Sequence, residues 1–143
     1  MLRVTLDTNI LISGSFWTGD SFKILELIDK KQIGCVLSKE IIAEYDRIVN
    51  GDDIVEKSED KSLILSKIVQ KVMLNSEIVE PKTRLNIVKN DHSDNMIIEC
   101  AIERKADFII TNDNHLLKLA EFEGVKIVTP KEFLRQFNQT ASP

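Results

Sequence analysis

Short apolar runs alternate with longer amphipathic stretches along this chain. Arg3-Val4-Thr5-Leu6 is the first compact run and predicts a strand. A Gly- and Ser-containing loop follows over 13–19. Phe22, Ile24, Leu25, Leu27 and Ile28 then recur at helical spacing, with Asp20 or Ser21 placed to cap them. Gly34 opens a second short strand, Cys35-Val36-Leu37. Ser38 precedes a predicted helix over 39–49 with Ile41, Ile42, Tyr45 and Ile48 on its apolar face, and Asn50-Gly51 ends it. Residues 51–60 carry five acids and read as an exposed loop.

The pattern then predicts a helix over about 61–74, a strand over 77–80 and a mixed connection over 81–90. A helix capped by Asp91 runs to about Lys105, and a compact apolar strand covers 107–111. A short helix over 114–123 is stopped by Gly124, a last strand covers 125–128, and Pro130 starts a helix reaching about Phe137. Residues 138–143 read as a flexible tail after a single domain over 1–137. Strands alternating with helices imply an α/β protein with a central parallel sheet of about five strands, covered on both faces. In such sheets ligands bind beyond the carboxyl ends of the strands.

Four acids fall where that rule directs attention. Asp7 follows the first strand directly, and Asp113 follows Phe108-Ile109-Ile110-Thr111-Asn112 in the same way. Each, taken alone, reads equally as a turn or cap residue. Two strands delivering an acid to one edge favour a site. Glu44 borders the apolar stripe of Ile41, Tyr45 and Ile48 at helical spacing. An acid on the inward side must be paired or hold a metal, because a lone buried charge is costly; the alternative is an acid reaching past the edge of the core. Glu40, one turn earlier, lies farther off the stripe. Asp94 shares a helix face with Ile97, Ile98 and Ala101, so Asp91 is read as the cap and Asp94 as the site acid. Hard divalent cations take oxygen ligands, and three or four carboxylates suffice to hold one or two of them for a phosphoryl displacement.

These residues resemble the motifs of PIN domains. Leu6-Asp7-Thr8-Asn9-Ile10-Leu11 is similar to their opening signature, and Ser38 to Tyr45 to their second motif. The run from Asp91 to Ala101 is similar to the third, and Ile109 to Leu117 to the fourth. The resemblance spans Arg3 to about Leu134. It implies a three-layer α/β/α sandwich and Mg²⁺- or Mn²⁺-dependent cleavage of RNA, with one or two ions held by Asp7, Glu44, Asp94 and Asp113. Asn9 would orient Asp7 or a water, and Thr111 would support the site through its hydroxyl. It is closest to the prokaryotic toxins of type II toxin–antitoxin pairs (VapC-like), which implies a small antitoxin partner; homodimers are hinted at by the resemblance alone.

Composition changes this picture little. The 143 residues are 43% apolar and 29% charged, as in an ordinary globular protein. No apolar run approaches the ~20 residues of a membrane span, and the opening residues lack a signal-peptide pattern, so a cytoplasmic location without membrane attachment is expected. Cys35 and Cys100 sit inside apolar elements and read as buried thiols. The net charge of −4 argues against a general nucleic-acid coat, though a carboxylate cluster itself makes the balance acidic.

His92 and His115 flank the acids and read either as bases or as polar helix-start residues. Trp17 is a candidate for stacking on an unpaired base and Lys118 for reaching a phosphate, against packing and a solvated face respectively. Lys82, Arg84 and Lys89 form a loose basic segment that is a candidate for RNA contacts. The competing function is a catalytically inactive module of the same fold that binds RNA or a protein. A phosphoacceptor domain fits less well, because Thr8-Asn9 stands where such domains carry a further acid and no Lys accompanies Asp113.

Overall fold

The computed structural model describes residues 1–14, 19–49, 59–89 and 91–141. Six strands and seven helices are present among them: β1 (Arg3–Leu6), α1 (Thr8–Gly14), α2 (Gly19–Asp29), β2 (Gly34–Ser38), α3 (Lys39–Val49), α4 (Glu59–Leu74), β3 (Ser76–Val79), α5 (His92–Glu103), β4 (Phe108–Ile110), α6 (Asn114–Leu117), β5 (Glu121–Phe122), β6 (Val125–Val128) and α7 (Pro130–Ala141). The acidic loop expected over 51–60 falls largely outside the described residues, as does Trp17.

The strands form one sheet in the order β3-β2-β1-β4-β6-β5. The chain builds outward from β1 through β2 to β3, then returns to place β4 on the other side of β1. All pairs are parallel except β5 with β6. Right-handed crossovers put α1 to α4 on one face and α5 on the other. The packing agrees: α1 meets α2 and α3, α2 meets α4 and α7, and α5 lies on β1, β2 and β4. The result is an α/β sandwich whose strand order reverses between β1 and β4, which opens a crevice at their carboxyl ends. Val4, Leu6, Val36, Leu37, Ile109 and Ile110 are completely buried, so the central strands read as continuous apolar runs.

The structure departs from the sequence reading in four places. A helix, α1, begins immediately after β1, where no element was expected. The carbonyl of Asp7 accepts hydrogen bonds from the N–H groups of Ile10 and Leu11 at its start. It packs so closely on α2 that a Cβ at Gly14 would stand 2.6 Å from Leu25 Cδ1. The sheet has a sixth strand, so it is mixed rather than wholly parallel. The helix expected over 114–123 stops after one turn, because Ala120 takes the left-handed conformation and the chain then forms a hairpin. Glu123 and Gly124, both at positive φ, form its two-residue turn, with Phe122 opposite Val125. Finally, α7 continues to Ala141 and takes in residues expected to belong to a flexible tail. No helix among the described residues is long and apolar enough to cross a membrane.

Candidate active site

The register of the sheet brings the first and fourth motifs together. Leu6 lies opposite Ile110, and the N–H of Asp7 donates to the Ile110 carbonyl at 3.1 Å. The next residues, Asp7 and Thr111, therefore leave the crevice side by side. The Thr111 hydroxyl, fully buried, donates to Asp7 Oδ2 at 2.7 Å and accepts from the Asp113 N–H at 2.9 Å. Asp7 Oδ1 accepts from the Asn9 N–H at 3.3 Å. Asn9 thus meets Asp7 through its backbone, while its side chain is exposed. Burial pushes the Asp7 carboxyl above its ordinary range; the Thr111 and Asn9 hydrogen bonds pull it back, and the charge of Asp113 raises it further.

Asp94 enters from the first turn of α5. Asp91 caps that helix, its Oδ1 accepting from the Asp94 N–H at 3.1 Å, as expected. The Asp94 carboxyl is only 4% exposed, and its Oδ2 is buried without a hydrogen-bond partner. Burial, then the close approach of Asp113, then the charge of Asp91 push its pKa up to about 7. Two carboxyls in contact need a proton or a cation between them.

A side-chain ladder holds α5 at this depth. Asn95, Glu99 and Glu103, four residues apart on one face, accept from the backbone of the connection before the helix. Asn95 Oδ1 takes the N–H groups of Ile87 and Val88 at 2.9 and 2.8 Å. Glu99 Oε2 takes the N–H of Leu85 at 2.8 Å, and Glu103 takes that of Lys82 at 3.2 Å. Glu99 is buried, and its charge is met by Arg84 at 3.1 Å. Arg84 also pairs with Glu40, which His92 approaches as well. Arg84, one of the three candidates for RNA contacts, is therefore engaged within the protein. Glu99 was missed in the sequence, although an acid inside Ile97-Ile98-Glu99-Cys100-Ala101 is the pattern of a buried, paired charge.

Asp113 caps α6, its Oδ1 accepting from the His115 N–H at 2.7 Å. The cap turns the His115 ring toward the acids: Nδ1 stands 3.8 Å from Asp113 Oδ1 and 3.9 Å from Asp94 Oδ2. The two histidines, alike in sequence, thus separate in space. Lys118 is exposed just after α6, and no ion pair joins it to the acids. Glu44 is half-buried on α3, which begins at the Ser38 cap and packs against α1 and α5; no hydrogen bond links it to Asp7, Asp94 or Asp113. The site thus links Asp7 to Asp113 through Thr111, and Asp113 approaches Asp94, with Glu44 on a neighbouring helix. Cys35 and Cys100 are buried free thiols, both pushed up to about 12 by burial.

The structure is thus an α/β sheet with buried carboxyls, Asp7 and Asp94, at the carboxyl edge of its switch point. A family model for the PIN domain matches residues 3–115, and the chain belongs to that family. Among solved structures, the fold is similar to one chain of VapBC2 from Rickettsia felis, a complex bound to a DNA fragment from its promoter. The TM-score is 0.58 at 18% identity, over 88% of this chain and 97% of that one. No curated protein matches the sequence.

Proposed function

We propose that this protein is a divalent-cation-dependent endoribonuclease, the toxin of a toxin–antitoxin pair, acting through Asp7, Glu44, Asp94 and Asp113. The observation that carries the reading is the buried, partnerless Oδ2 of Asp94 among carboxyls that repel one another. The donor set is all carboxylate oxygen, which suits Mg²⁺ or Mn²⁺. The same residues offer no nucleophile of their own, which suits attack by water. A bound cation supplies a water acidic enough to act near neutral pH and offsets charge on the phosphoryl oxygens.

The chain's own part is positioning. Thr111 holds Asp7 Oδ2 and the Asp113 backbone together, so two of the ligands move as one unit. Asp94 releases its proton to become a ligand. Glu44 completes the set from α3. Membership of the PIN family and the likeness to a VapBC2 chain support an antitoxin partner. One observation favours the inactive-module reading instead: Lys39 is paired with Glu80 and Arg84 with Glu40 and Glu99, which leaves fewer cations for phosphates near the site.

The test uses wild type and Asp7→Asn with labelled single-stranded RNA in Mn²⁺, in Mg²⁺ and in EDTA. Cleavage by wild type alone, abolished by EDTA, is expected. Equal cleavage by both proteins, or none by either, would remove the nuclease reading.

A further inference from the structure

We propose that Asp91, Asp94 and His115 form a second cation site, sharing Asp94 with the first, that takes a first-row transition-metal ion such as Mn²⁺ in preference to Mg²⁺. One ligating atom from each of the three residues lies within 4.8 Å of the other two. Donors around a first-row ion stand about 2.0–2.2 Å from it and so about 3–4 Å from each other, a small tightening of the present arrangement.

The second observation is Asp94 itself. Its carboxyl is 4% exposed, and Oδ2 has no hydrogen-bond partner while standing 3.9 Å from His115 Nδ1. Asp113, Asp91 and this imidazole approach it. Asp91 spends one oxygen on the N–H of Asp94 and keeps the other. His115 is positioned by the Asp113 cap through its own backbone, so its ring is placed without using a ring nitrogen. The imidazole decides the selectivity. Mn²⁺ is itself an oxygen-preferring ion but accepts an imidazole nitrogen more readily than Mg²⁺ does, and Co²⁺ or Zn²⁺ accept it more readily still. Asp94 is then shared between the two cations.

This site goes beyond the nuclease reading and needs no RNA for its test. Mn²⁺ binding is followed by electron paramagnetic resonance, and pulsed measurements detect nitrogen bonded directly to the ion. The chain has two histidines, so the assignment is unambiguous. Wild type is expected to show one imidazole nitrogen on Mn²⁺. His115→Gln should lose that signal and bind Mn²⁺ about tenfold more weakly, with Mg²⁺ affinity changed less than about twofold. Asp91→Asn, which keeps the helix cap, should weaken Mn²⁺ similarly. His92→Gln should change nothing. Mn²⁺ bound without a nitrogen signal, or a signal that survives His115→Gln, overturns the proposal, and so does failure of wild type to bind Mn²⁺. A nitrogen signal in a protein that cuts no RNA would sink the nuclease reading and leave this site standing.

Discussion

Two single residues decide the chemistry of the crevice. The Asp94 carboxyl, raised from 3.8 to about 7, holds a proton in the folded protein that the unfolded chain releases near 3.8. Its contribution to stability is complete below pH 3.8 and is lost as pH rises toward 7. The cation-free protein should therefore become less stable across that window, and Asp94→Asn should flatten the loss. Thermal melts in EDTA from pH 4 to about 8 read this directly, with the variant expected to be more stable than wild type by about 1–3 kcal/mol at the alkaline end. A parallel decline in both proteins would place the burden elsewhere. Thr111 is the second residue. Thr111→Val keeps the shape and removes the bonds to Asp7 and to the Asp113 N–H, at a cost of about 1–3 kcal/mol. It also removes a bond that lowers the Asp7 pKa, so half-maximal Mn²⁺ binding should move to higher pH. An unmoved binding profile would show that Thr111 serves only the fold.

At the scale of elements, three helices begin at the site, and each uses an acid of the site as it starts. Asp7 binds the Asn9 N–H of α1, Asp91 that of Asp94, and Asp113 that of His115. The sequence left cap and ligand as alternatives for Asp7 and Asp113 and read Asp91 as a cap alone; a carboxylate has two oxygens and one suffices for the cap. The depth of α5 is set by its ladder to residues 82–88. Asn95→Ala removes two accepted bonds and one donated to the Val88 carbonyl at 2.9 Å. A loss of about 2–3 kcal/mol is expected, with hydrogen exchange fastest to rise at Ile87 and Val88. Exchange that rises uniformly would mean the ladder is not a local clamp.

For the whole molecule, a net charge of −4 and buried acids at the crevice should make the folded state responsive to cations. Saturating Mn²⁺, at about a hundred times its dissociation constant, should stabilise wild type by about 2.7 kcal/mol and raise Tm by several degrees. EDTA should reverse the rise, and Asp7→Asn should diminish it, leaving the part contributed by the ion at Asp91, Asp94 and His115. An equal rise in the variant would show that Asp7 holds no ion.

The alternation of apolar runs and amphipathic stretches determined the α/β class, because a strand buried on both faces and a helix buried on one leave different periodicities. It also placed β1, α3 and β6 at their ends, and it brought Asp7 and Asp113 to the carboxyl edge. What escaped it depended on contacts across the chain. The turn at Glu123-Gly124 lacks the usual Asn or Asp, so the hairpin and β5 were read as helix. Arg84 looked free because its partners, Glu40 and Glu99, lie 44 and 15 residues away. His92 and His115 carry the same local signal; only the fold sends one to Glu40 and the other to the acids. The local pattern determines which residues are buried, whereas the partners of a buried charge are chosen by tertiary packing, because the low-dielectric interior makes proximity, not sequence distance, the measure of interaction.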